Sequence, residues 1–142
     1  MKILVINGPN LNLLGLREPA IYGRRTYRDL VEMIRAEAER LGIETAFVQS
    51  NHEGALVDAI QSAYQTADGI VINPGAYTHT SIALLDALKA VDVPAVEVHI
   101  SDPDAREEFR RISYIRAACI ASIKGRGLEG YLEALRLLAQ RA

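Results

Sequence analysis

Cysteine is nearly missing from these 142 residues. Cys119 is the one thiol, so no internal disulfide can form, and a cytosolic setting fits. Lying in an apolar run, Cys119 reads as a small core residue. Long apolar runs are missing too. None approaches a membrane span, and Met1–Ile6 is too short for a signal peptide before Asn7-Gly8-Pro9-Asn10 ends it. Basic charge is not in excess: 16 Lys+Arg face 18 Asp+Glu for a net charge of −2, which argues against nucleic acid as the main partner. Three histidines are present. No further His, Cys or acidic partner joins His79 and His99 at a recognisable ligand spacing, so no metal is expected. G-x-G-x-x-G, a P-loop and the G-x-S-x-G elbow are all absent. Gly125-Arg126-Gly127 is the one Gly-x-Gly, and it comes late in the chain.

What is present is a folded composition, 49% hydrophobic and 24% charged, at a length that suits one domain over 1–142. Short apolar runs alternate with helical periodicity. Lys2–Ile6, Glu44–Gln49, Ile70–Asn73, Ala95–His99 and Ala118–Ile123 read as strands. Thr26–Leu41 reads as a helix with Thr26 as cap and Gly42 as terminator. A second helix carries Leu56, Val57, Ile60 and Tyr64, with Ser50 or Asn51 as cap. A third carries Ile82, Leu85 and Leu88 after a cap at Thr78, Thr80 or Ser81. Asp102-Pro103 opens a short helix holding Arg106, Phe109 and Arg110, and Leu128–Leu138 closes the chain. The alternation predicts an α/β fold, a five-stranded parallel sheet with helices on both faces. Five strands suggest the flavodoxin-like order 2-1-3-4-5, a three-layer sandwich.

In that order the carboxyl ends of strands one, three and four are neighbours and line one crevice. Strand one supplies Asn10, Arg17 and Tyr22, on a connection (Asn7–Arg25) roughly three times the usual length and so a lid candidate. Strand three supplies Asn73 and His79. Strand four supplies His99, Ser101, Arg106 and Arg110. The crevice is cationic and rich in donors, with Tyr and His as acid and base, which suits a small carboxylate or phosphate and proton transfer. Taken singly, each residue has a plain structural reading. Tyr22 is then a packing residue, Asn73 turn chemistry, and Arg106 and Arg110 solvated ion pairs. Convergence on one sheet edge favours function. A response-regulator-like module would need acidic groups where Asn7 and Asn10 stand, and a flavin module should copurify yellow.

Five stretches carry a resemblance. They are Ile6–Asn12, Arg17-Glu18-Pro19 with Tyr22-Gly23, Gln49–Gly54, Asn73–Ser81, and Glu97–Ser101 with Arg106–Arg110. In this order, and over essentially the whole chain, they resemble the type II 3-dehydroquinate dehydratases of the shikimate pathway, which serve aromatic amino acid synthesis. The resemblance implies a flavodoxin-like hydro-lyase that turns 3-dehydroquinate into 3-dehydroshikimate by anti elimination through an enolate. It implies no metal, no Schiff base and no other cofactor. It implies that Tyr22 is the proton acceptor, that Arg17 activates it, and that His99 is the general acid, with Glu97 behind it. Asn10 would sit near the enolate oxygen. Asn73, His79, Ile100, Ser101 and Arg110 would bind substrate. Asp86 would reach a neighbouring subunit's site in a dodecamer built from trimers. Two places depart from the family's common pattern: Asp102-Pro103-Asp104 stands where an asparagine, a variable residue and a histidine are frequent, and Arg111-Ile112 where a histidine is common.

Overall fold

A computed structural model of the chain describes residues 1–16 and 19–141, with Ile21 and Tyr22 as backbone alone. Five strands pair in parallel: β1 (Lys2–Asn7), β2 (Glu44–Gln49), β3 (Gly69–Asn73), β4 (Ala95–His99) and β5 (Ala121–Lys124). Their order is β2-β1-β3-β4-β5, the flavodoxin-like order that the alternation suggested. Helices α1 (Pro19–Tyr22), α2 (Tyr27–Leu41), α3 (Glu53–Ser62), α4 (Ile82–Val91) and α5 (Glu129–Gln140) connect and follow them.

The three central strands, β1, β3 and β4, are buried on both faces, so alternate residues serve different cores. Ile3, Val5, Val71, Val96 and Val98 pack with Leu30 and Ile34 of α2 and with Tyr131 and Leu135 of α5. Leu4, Ile6, Ile70 and Ile72 pack with Leu56 and Ile60 of α3 and with Leu84 and Leu88 of α4. Helix α2 starts on a full capping box. Thr26 Oγ1 accepts from the Asp29 amide at 3.1 Å, and Asp29 Oδ2 accepts from the Thr26 amide at 2.9 Å. Its end is the left-handed Gly42. Glu37 ties α2 to α5 through Arg136 Nη2 at 2.6 Å.

Several local expectations are corrected. The fifth strand begins at Ala121 rather than Ala118, because Ile115–Ala118 closes as a 3-10 turn anchored by the fully buried Ile115. The apolar run there packs against α4 instead of joining the ladder. The single helix expected after Pro103 is two 3-10 turns, Pro103–Ala105 and Glu108–Arg111. Arg106 between them is extended (φ −108°, ψ −153°), which interrupts helical hydrogen bonding. On α4 the inward stripe is Leu84, Ala87, Leu88 and Val91, while Ile82 is 55% exposed. Ser81 is its cap, accepting from the Leu84 amide at 3.1 Å. Neither Ser50 nor Asn51 caps α3. The Ser50 hydroxyl instead accepts from the His52 amide at 3.0 Å, and Tyr64 lies exposed beyond the helix end.

Candidate active site

At the carboxyl edge of the sheet, the turns after β1 and β3 interlock. Gly8 lies so close to Pro74 that a Cβ there would stand 2.3 Å from the Pro74 carbonyl oxygen. The Gly8 amide donates to the Asn73 carbonyl at 2.8 Å. Gly75 faces Pro9 from the other side with φ of +61°, a conformation glycine adopts without strain. Asn10 is left-handed as well (φ 69°), and its amide donates to Asn51 Oδ1 at 3.1 Å. A non-glycine residue in that region is uncommon and marks a position its surroundings hold in place.

These turns and the one after β4 enclose a crevice of about 720 Å³, open mouth included. Asn10, Asn73, His79, His99, Ile100, Ser101 and Arg110, all singled out above, line it together with Arg106. Glu97 lies just behind His99. Asp86 is exposed on α4, outside the crevice. Arg17 lies outside the described residues, and so does the side chain of Tyr22, whose backbone ends α1.

His99 and Glu97 are two apart on one strand, so both side chains point to the same face of the sheet. Glu97 Oε2 accepts from His99 Nε2 at 2.5 Å. A carboxylate can only accept, so Nε2 carries a proton and Nδ1 is the nitrogen left for the crevice. Glu97 is fully buried yet well partnered. Ser113 donates to Oε2 at 2.6 Å, Ser122 to Oε1 at 3.1 Å, and Arg116 Nε lies 3.5 Å from Oε1. Burial by itself would favour the neutral acid. The hydrogen bonds from His99 and Ser113 and the charges of His99 and Arg116 outweigh it, holding the carboxyl down to about 2.

His79 has the opposite bias. Its Nδ1 meets the Ile112 carbonyl at 2.7 Å, so Nδ1 donates and Nε2 is an acceptor in the neutral ring. Burial, helped by the charges of His99 and Arg110, lowers its proton affinity against the pull of that carbonyl and of Glu97. Ile112 acts through its backbone. Asp102 accepts from the Asp104 amide at 3.0 Å, and Asp104 pairs with Lys124 across the end of β5.

Ser113, Ser122 and Arg116 were not legible as site residues. Ser122 faces Glu97 across the β4–β5 ladder, a register no local pattern encodes. Ser113 and Arg116 come from irregular turns, and nothing in their spacing signals the contact. One prediction follows from the Glu97 pocket. Its carboxyl sits below its ordinary value of 4.5 in the fold, so its stabilising contribution is complete above about pH 4.5 and is lost as pH falls toward 2. Glu97→Gln should therefore lower the thermal midpoint clearly at pH 6. The gap to wild type should narrow as pH approaches 3 in a calorimetric series. An equal gap at both ends would contradict this.

Among known proteins, the family model described as Dehydroquinase class II matches residues 1–139. A 3-dehydroquinate dehydratase of Corynebacterium glutamicum is 57% identical over 138 residues, covering 97% of this chain and 95% of that protein. One from Clostridium acetobutylicum is 54% identical, with coverage of 97% and 96%. The crystal structure of a type II dehydroquinase from Butyrivibrio crossotus superposes with a TM-score of 0.96 at 55% identity, covering 97% of each chain. One from Propionibacterium acnes gives 0.94 at 43% identity, with coverage of 98% and 96%.

Proposed function

This chain belongs to the class II dehydroquinase family, and from that premise we propose that it converts 3-dehydroquinate to 3-dehydroshikimate and water. The observation that carries the reading is the crevice itself. Asn10, Asn73, His79, His99, Ser101 and Arg110 arrive from three strand ends, with a buried anionic Glu97 orienting the imidazole.

The substrate carboxylate meets Arg110 and the backbone at Ile100-Ser101; a planar guanidinium matches a carboxylate in a way lysine does not. Tyr22, made more acidic by Arg17 when the long connection closes, takes the proton beside the ketone. The C–H electron pair becomes the enolate, and Asn10 stands near its oxygen. Collapse of the enolate expels the hydroxyl on the opposite face, and His99 gives that hydroxyl a proton so that it leaves as water. Neutral His79 and Asn73 hold the ring hydroxyls. No metal or other cofactor takes part. Residues 1–142 act as one catalytic unit. Asp86, exposed on α4, reaches a neighbouring subunit's site in a dodecamer of trimers, and the cytoplasm is the setting. Among the described residues no helix is long and apolar enough to cross a membrane.

The test is direct. Purified protein given 3-dehydroquinate should produce the ultraviolet absorbance of a conjugated enone. The rate should be unchanged by a metal chelator or by borohydride added with substrate. No absorbance rise would sink the reading, and a chelator-sensitive rate would sink its metal-free form.

A further inference from the structure

Beneath the crevice Asn73 is tied into a buried polar chain whose other members, Tyr131 and Asn7, have no part in the reaction scheme. Asn7 and Asn73 end the neighbouring strands β1 and β3 and are register partners. Their side chains follow the alternation of Val5 and Val71 onto the α2/α5 side of the sheet. There Tyr131 of α5, with no exposed surface, inserts its hydroxyl between them. Tyr131 donates to Asn7 Oδ1 at 2.5 Å and accepts from Asn73 Nδ2 at 2.9 Å. Asn73 Oδ1 in turn accepts from the Gly75 amide at 3.1 Å.

The directions are forced. The Gly75 amide can only donate, so it takes the Asn73 oxygen and leaves the Asn73 NH₂ facing Tyr131. A phenol has one proton. Receiving Asn73's N–H, it must send that proton to the Asn7 oxygen. Burial raises the phenol's pKa, so the proton stays in place at any working pH. One amide hydrogen of Asn73 is then committed to Tyr131, and the other is the one that can be offered to the crevice that Asn73 lines.

We infer that Tyr131 is a positioning residue for substrate binding: its hydroxyl, backed by Asn7, fixes the amide of Asn73 so that a single N–H donor is presented to a substrate hydroxyl. This rests on the function proposed above. Buried groups left unpaired are costly, so losing the hydroxyl frees the Asn73 amide and strands the Asn7 oxygen.

Tyr131→Phe keeps the ring in the core and removes only the oxygen. Steady-state kinetics with 3-dehydroquinate should show kcat/KM falling about tenfold, carried mainly by KM. In an Asn73→Ala background the same substitution should add less than about twofold, because its route of action is gone. Thermal midpoints of all four proteins accompany the kinetics. A Tyr131→Phe enzyme that melts lower but keeps wild-type KM would make the hydroxyl merely structural and overturn the assignment. An equal loss in both backgrounds would overturn it too. If the wild type fails to turn over 3-dehydroquinate at all, the functional reading falls and takes this one with it. A normal wild type beside an unaffected variant removes Tyr131 alone.

Discussion

His99→Gln is expected to lower kcat by about 10²–10⁴-fold with little change in KM. Glutamine can still offer an N–H toward Glu97 Oε2, so the buried carboxylate need not lose the partner that His99 Nε2 provides at 2.5 Å. What the variant cannot do is carry a proton and release it. With Nε2 held by Glu97, only Nδ1 of His99 can give a proton to a departing hydroxyl. The rigidity of that arrangement comes from four contacts on one carboxylate, from His99, Ser113, Ser122 and Arg116. Charge-assisted hydrogen bonds of this kind are stronger than neutral ones, so the imidazole is aimed before substrate arrives. Stopped-flow or steady-state absorbance at saturating substrate measures kcat, and calorimetry confirms the fold. A loss of less than tenfold in a folded variant would mean that another group protonates the leaving oxygen.

Tyr22→Phe should be at least as damaging, on the order of 10³-fold or more in kcat, with substrate still bound. A phenol with pKa of about 10 is ionised in roughly one molecule in a thousand at pH 7. A nearby guanidinium lowers that pKa by ~1–3 units, which makes the phenolate a usable base at neutral pH. The backbone of α1 carries Tyr22 on the connection that leaves β1, the same connection whose first turn places Asn10 in the crevice. Phenylalanine retains the ring and removes the basic oxygen. The rate of hydrogen exchange beside the ketone, followed by NMR in deuterated water, isolates this step from the loss of the hydroxyl. A variant that exchanges that hydrogen at the wild-type rate would show that the base is another residue.

Much of the molecule was readable along the chain. The Thr26 cap and the Gly42 stop of α2 are local devices, satisfied within a few residues, and they appear where expected. Strand alternation with helices led to the sheet order, because parallel strands need crossovers and crossovers cover both faces. Asn10, Asn73, His79, His99, Ser101, Arg106 and Arg110, at or after the ends of strands one, three and four, were legible as lining one crevice for the same reason. Apolar runs were less reliable. Ala118–Ile123 reads as a strand, yet β5 begins only at Ala121, and Ala118 closes the turn Ile115–Ala118, which packs against α4. The interruption at Arg106, which splits an apparent helix into two turns, has no local signal.

By itself, then, the amino-acid order determined the layers, the sheet and the set of polar groups delivered to one edge. Those properties depend on periodicities of two and 3.6 residues and on caps that reach three or four positions. Only the tertiary structure decided which of those groups are held and in what state. Glu97 is held ionised by His99 beside it on the strand and by Ser113 and Arg116, 16 and 19 positions away. The Asn73 amide donates to a tyrosine hydroxyl 58 positions away, and that hydroxyl in turn donates to the Asn7 amide oxygen, 124 positions from it. Contacts across such separations exist once the backbone has folded, since no short-range pattern carries the direction of a hydrogen bond.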